Sequence, residues 1–217
     1  MIRTAIGLAA ALAALPAAAQ FTYVAPPPGS ELGHAAILSN ALGETVTRSN
    51  TWDFVGGDVS AIRTGGDAIW DAGTYRATIL AREAGYQHKF GTFEDGEFTS
   101  LLKSKNIGSS ADVTMDDSFA WAIKNRRSDG GDRFTSNPRD NWQHRDHMVT
   151  YTLYEGDRQL GWAVFFEDIG GWHSDRDFND VAVMLTIVPT PQAAMLGLAG
   201  LGGLGVMTGR RRSAPMI

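Results

Sequence analysis

From Thr45 onward the apolar residues of this chain recur with period two, in short runs cut by glycine-containing turns. No other feature limits the fold as strongly. Tyr75, Ala77, Ile79 and Ala81 alternate with Arg76, Thr78, Leu80 and Arg82, the pattern of a β-strand whose successive side chains point to opposite faces. Comparable runs cover 58–63, 111–115, 119–123, 147–155, 159–167 and 181–188. They are separated by Gly56-Gly57, Gly65-Gly66, Gly108-Ser109, Asp129-Gly130-Gly131 and Gly156-Asp157. Strands at this spacing predict a mainly β protein, an antiparallel β-sandwich of jelly-roll type. One helix precedes them: Ser30 caps it, Glu31 lies in its first turn, Leu32, Ala35, Ala36 and Ile37 or Leu38 recur at helical spacing, and Gly43 stops it. On this reading His34 lies on the helix surface, and His88, between Gln87 and Lys89, occupies a solvated strand position.

The last two runs flank the densest group of oxygen ligands in the chain, Phe165 to Leu185, FFEDIGGWHSDRDFNDVAVML. Glu167 and Asp168 end one strand, and Asp175, Asp177, Asn179 and Asp180 lead into the next. These six residues are the candidate metal ligands. Calcium suits them, since it takes six to eight oxygens from carboxylates, amides and carbonyls, whereas magnesium keeps more of its water. The spacing of Asp175, Asp177 and Asn179 imitates the start of an EF-hand loop, but Asp180 stands where the sharp turn requires Gly and no Glu closes the loop. A site here takes its ligands across a hairpin. The other reading is an Asp/Asn-rich surface turn whose side chains cap their own backbone. Mutual repulsion among that many carboxylates favours the cation. Phe178, the large apolar residue within the second acidic group, brings the loop back onto the core.

The two ends read differently from the middle. Residues 1–19 carry Arg3, an apolar run from Ala5 to Ala14, then Leu15-Pro16-Ala17-Ala18-Ala19, the pattern of a secretory signal with a small-residue cleavage site for signal peptidase. Near the other end, Val188-Pro189-Thr190-Pro191 precedes an uncharged stretch, Ala193 to Thr208, and then Arg210-Arg211-Arg212. As a helix that stretch spans about 24 Å, short of the roughly 20 residues of a comfortable membrane span. The arginines would hold it on the cytoplasmic side. Three units follow: 1–19 signal peptide, 20–187 β-sandwich domain, 188–217 sorting or anchoring tail. Without the ends, the 19 Lys and Arg lose four members while all 24 acids remain, for a net charge near −9. Nucleic acid is an unsuitable partner for such a surface, and cations are suitable ones. With no Cys, the exported domain depends on packing or a bound ion rather than on disulfides.

Enzyme signatures are sparse. There is no G-x-S-x-G, HExxH or P-loop, and Gly200, Gly202 and Gly205 spell GxGxxG with no strand leading in. His144 and His147 are three apart at a strand start, where odd spacing sends side chains to opposite faces and argues against zinc. Asp146 or His147 belongs beside the acidic hairpin. Of six tryptophans, Trp121 and Trp162 lie on apolar strands where burial is natural. Trp142 and Trp172 lie in polar loops and are candidates for stacking on a ligand.

The tail resembles the PEP-CTERM sorting signal of exported bacterial proteins, which an exosortase recognises and cleaves, with Thr190 where that signal usually has Glu. The segment from Asp146-His147-Met148-Val149-Thr150-Tyr151 through Phe166-Glu167-Asp168 to Asp175-Arg176-Asp177-Phe178-Asn179-Asp180 is similar to a domain of unknown function in such proteins, which closes on Glu-Asp, a Gly-rich loop and D-x-D-[FY]-N-D. The family brings no settled activity. The resemblance implies an exported protein of bacteria that make extracellular polysaccharide. It is expected at the cell surface or in the matrix, attached to the membrane only through its tail. The expectation is a non-catalytic protein with structural Ca2+, in a binding or structural role; the alternative is a calcium-dependent carbohydrate-binding module or glycan-active enzyme.

Overall fold

The computed structural model describes residues 21–125, 132–170 and 173–189. The signal at 1–19, the tail beyond Pro189, the turn at Asp129-Gly130-Gly131 and Trp172 lie outside these residues. One α-helix, α1 (His34–Leu42), precedes twelve strands: β1 (Thr47–Arg48), β2 (Phe54–Val55), β3 (Val59–Thr64), β4 (Gly73–Ala81), β5 (His88–Glu94), β6 (Glu97–Lys103), β7 (Ser110–Met115), β8 (Ala120–Asn125), β9 (Arg133–Thr135), β10 (Met148–Glu155), β11 (Arg158–Phe166) and β12 (Val181–Ile187). They form two antiparallel sheets, an eight-stranded one in the order β1-β2-β3-β10-β11-β12-β4-β7 and a four-stranded one in the order β6-β5-β8-β9. The protein is thus mainly β with one short helix, an arrangement consistent with a β-sandwich. No helix among the described residues is long and apolar enough to cross a membrane.

The large sheet is covered on both faces at its centre. Towards the small sheet, Met148, Val164, Phe166, Val181 and Val183 meet Phe90, Trp121, Ile123 and Phe134 in the main core. Trp121 is fully buried there, with Phe90 stacked on it at 5.2 Å and Phe119 edge-on at 4.9 Å. On the opposite face Val149, Tyr151, Ala163, Phe165 and Ala182 pack against Ile37 and Leu38 of α1. Double coverage is why β11 and β12 read as continuous apolar runs, Ala-Val-Phe-Phe and Val-Ala-Val, where strand β4 alternates. Trp162 is partly buried against the main core.

The structure corrects the sequence reading in four places. The helix starts three residues after Glu31: its N-cap is Gly33, with no side-chain cap, and not Ser30, while Gly43 ends it in the left-handed conformation at φ 69° as expected. His34 is buried, not surface, because its first-turn position points it at the large sheet. His88 is fully buried rather than solvated, since β5 is an inner strand of the small sheet. Strands β5 and β6 lie outside the alternating runs of the sequence. Their connection is Asp95-Gly96, with φ of 50° and 83°, a two-residue turn of the kind that Asp-Gly favours.

Candidate cation site in the acidic hairpin

Strands β11 and β12 pair from Trp162↔Leu185 to Phe166↔Val181, so residues 167–180 are the connection of a hairpin, as expected. Phe165 faces α1 and Phe166 faces the small sheet. The same alternation carries past the last paired residue and gives the neighbouring Glu167 and Asp168 carboxyls different hydrogen-bond partners.

Asp168 goes to the small sheet. His88 Nε2 of β5 donates to its Oδ2 at 2.5 Å, and Asn125 Nδ2 of β8 donates to its carbonyl at 3.0 Å. Ser104 Oγ lies 3.5 Å from His88 Nδ1, so Ser104, His88 and Asp168 form a chain with the composition of a hydrolytic triad. Ser104 is completely buried, and no substrate carbonyl can reach its hydroxyl. These residues pin the hairpin to the small sheet.

Glu167 stays with the loop. Its Oε1 accepts from Ile169 N at 3.3 Å and its Oε2 from Arg176 N at 3.0 Å. His147 is buried beside it: its Nδ1 donates to the Glu167 carbonyl at 3.1 Å and its ring stacks on Phe134 at 4.3 Å. The expectation that His147 borders the acidic hairpin therefore holds, whereas His144 is exposed. Asp180, just before β12, returns to the start of the loop, its Oδ2 accepting from Asp168 N at 2.7 Å.

The tip of the loop packs against the approach to α1. Phe178 is buried in the helix-side core, and its carbonyl accepts from His34 Nε2 at 3.1 Å. Because that carbonyl can only accept, Nε2 carries the proton. His34 Nδ1 then accepts from Tyr151 Oη at 2.9 Å. Burial drives the His34 pKa down to about 3, so the ring is neutral. Asn179 Nδ2 donates to the Leu32 carbonyl at 3.2 Å, which turns that amide towards the chain before the helix. Arg176 and Phe178 both adopt positive φ, 60° and 55°, and Arg176 O accepts from Ala25 N at 2.8 Å.

Five of the six candidate ligands consequently fall into two groups whose ligand atoms lie within 4.8 Å of one another, each able to hold a metal ion, and Asn179 belongs to neither. One is Glu167, Asp168 and Asp180. The other is Asp175 and Asp177 together with Glu31, a residue the sequence reading placed in the helix and not in the site. Only the folding of the 21–33 segment against the hairpin brings Glu31 in, and no local spacing announces it. Asp177 is 2% exposed; its Oδ1 accepts from Asn179 N, and its Oδ2 has no hydrogen-bond partner among the described residues.

The electrostatics are those of acids crowded away from water. Burial, followed by the charge of Asp175, pushes the Glu167 carboxyl up to about 8. Burial and then Asp168 push Asp180 up to about 9. Burial is also the main cause at Asp177, which rises to about 6. Without a cation Glu167 and Asp180 retain protons near neutral pH, while Asp177 loses its proton just below it. A divalent ion stabilises the ionised forms they otherwise avoid.

No protein-family model matches the chain, and a comparison with curated proteins returns no match either.

Proposed function

We propose that this chain is an exported, surface- or matrix-associated protein of jelly-roll-like β-sandwich architecture, in which the acidic hairpin takes a structural Ca2+ and the protein serves a binding or structural role without catalysis. Its processing partners would be signal peptidase and an exosortase-type enzyme, and its setting an extracellular polysaccharide. Glu31, Asp175 and Asp177 are the proposed first ligands, with Glu167 beside them. The observation that carries the reading is Asp177 Oδ2, a buried carboxylate oxygen with no donor among the described residues, within reach of two further carboxylates. Leaving such a group unsatisfied costs about 1–3 kcal/mol, and more when it is charged. Calcium removes that penalty with the oxygen ligands it prefers. It would also join the segment before α1 to the β11–β12 connection.

Thermal unfolding of the full chain in excess chelator and then in millimolar calcium tests this. At about 100 times its Kd a bound ion adds about 2.7 kcal/mol, which raises the midpoint by roughly 5–10 °C for a chain of this size. Asp177→Asn keeps the Asn179 N–H bond but should lose most of that rise. If calcium leaves the wild-type midpoint unchanged, the loop is a self-capped turn and the proposal fails.

A further inference from the structure

Beside the hairpin, on the side of the small sheet, lies a cleft of about 580 Å³ lined by Tyr86, Asn125, Arg133, Phe134, Trp142 and Asp168, among others. We propose that this cleft binds a neutral, hydroxyl-rich ligand, a sugar unit of a polysaccharide, with Trp142 as the stacking platform. The inference does not need the ion: the cleft residues named here other than Asp168 belong to neither acidic group.

Three observations carry it. First, Trp142 is 65% exposed and Tyr86 42%, so two aromatic surfaces are presented to one cavity of a size typical for small-molecule sites. An exposed indole has an unmet hydrophobic surface, and the C–H faces of a sugar ring fit it. Second, the loop that carries Trp142 is held in place. Asn141 is buried, its Oδ1 accepting from Thr135 N at 2.8 Å and its Nδ2 donating to the Thr135 and Arg145 carbonyls at 2.8 and 3.0 Å. Gln143 and His144, neither of them Gly, follow with φ of 56° and 53°. Each such residue costs about 1 kcal/mol or more, a strain that persists only where the surroundings impose it. The Arg145 guanidinium lies over the Trp142 ring at 5.9 Å, which supports one face of the indole.

Third, the lining leaves polar atoms unsatisfied. Asn125 is 4% exposed; its Nδ2 is committed to the Asp168 carbonyl, and its Oδ1 has no partner among the described residues. Arg133 lies flat on Phe93, its Cζ 3.8 Å from the ring centroid, and its Nε likewise has no partner among the described residues. One atom wants a donor and the other an acceptor. A hydroxyl both donates and accepts, so a ring bearing several hydroxyls and an apolar face suits a cleft bordered by residues of this mixed character. Asp132 and Arg133 line the cleft side by side with opposite charge, which favours an uncharged sugar over a uronic acid.

Electrophoresis of the full chain through gels containing dextran, galactomannan or hydroxyethyl cellulose, with alginate as the anionic comparison and calcium throughout, tests the proposal. Retardation by at least one neutral glycan is expected. Trp142→Ala should weaken it about tenfold or more with an unchanged melting midpoint, and Trp142→Phe should restore part of it. Retardation by none of the neutral glycans, retardation by alginate alone, or equal retardation of Trp142→Ala and wild type would each overturn it. Asp177→Asn, run in parallel, separates this from the ion. Loss of its calcium-dependent midpoint rise alongside absent wild-type retardation rejects the cleft while leaving the cation site standing.

Discussion

At the scale of single residues, the hairpin depends on buried polar atoms having defined partners. Asp168 illustrates the difference between a charge and a bond. Its Oδ2 is the partner of a completely buried His88 Nε2. Asp168→Asn retains an acceptor there and should be tolerated, whereas Asp168→Ala orphans the imidazole and should lower stability by about 1–3 kcal/mol. Thermal denaturation of the two variants side by side decides it: equal losses would mean that the carboxylate acts through its charge and not through this bond. Residue identity alone showed which acids were candidates. It did not show that His88 lies beneath them, because Gln87 and Lys89 on either side suggest solvent and only the central position of β5 explains the burial.

At the scale of elements, β5 and β6 join through a tight turn and a register shift between Phe90 and Gly91. A Cβ on Gly91 would collide with the Thr99 carbonyl of the neighbouring strand, and a paired backbone cannot step aside as a side chain can. Gly91→Ala should therefore destabilise by about 1–3 kcal/mol, measured as a shift of the chemical denaturation midpoint at unchanged slope. Gly43→Ala would also be strained, but through its left-handed backbone and in open space. The period-two runs announced most of the strands of the large sheet, since pattern and pleat share a period. The β5–β6 hairpin was written less plainly, with Gly91 and Ser100 interrupting the apolar positions. Its clearest signal was the Asp95-Gly96 pair. The helix was legible by its spacing and its terminal glycine, but its start was not, because His34 is held by Tyr151 and Phe178, residues more than a hundred positions away.

Over the whole molecule, titration couples the acidic hairpin to stability. Glu167 rises from 4.5 to about 8 and Asp180 from 3.8 to about 9 on folding. The folded state therefore binds more protons than the unfolded one in that interval, and stability falls as pH rises through it. His34 acts in the opposite sense: lowered from 6.5 to about 3, it contributes stability present above 6.5 and lost as pH falls below it. Between pH 6.5 and 8 the carboxyls act without opposition from His34. In chelator the melting midpoint should decline across that window, and calcium should flatten the decline; a midpoint that is flat in chelator would contradict the burial of these acids. The sequence by itself determined the mainly antiparallel β class, the helix stop at Gly43 and the hairpin that carries the acids, because strand periodicity, turn chemistry and charge density are local properties of the chain. Only the tertiary structure decided that the acids divide into two groups, that Glu31 joins one of them and that Trp142 overlooks a cleft floored by Asn125. Those relations arise where two sheets and a helix approach segments distant in sequence, and no local pattern encodes such distances.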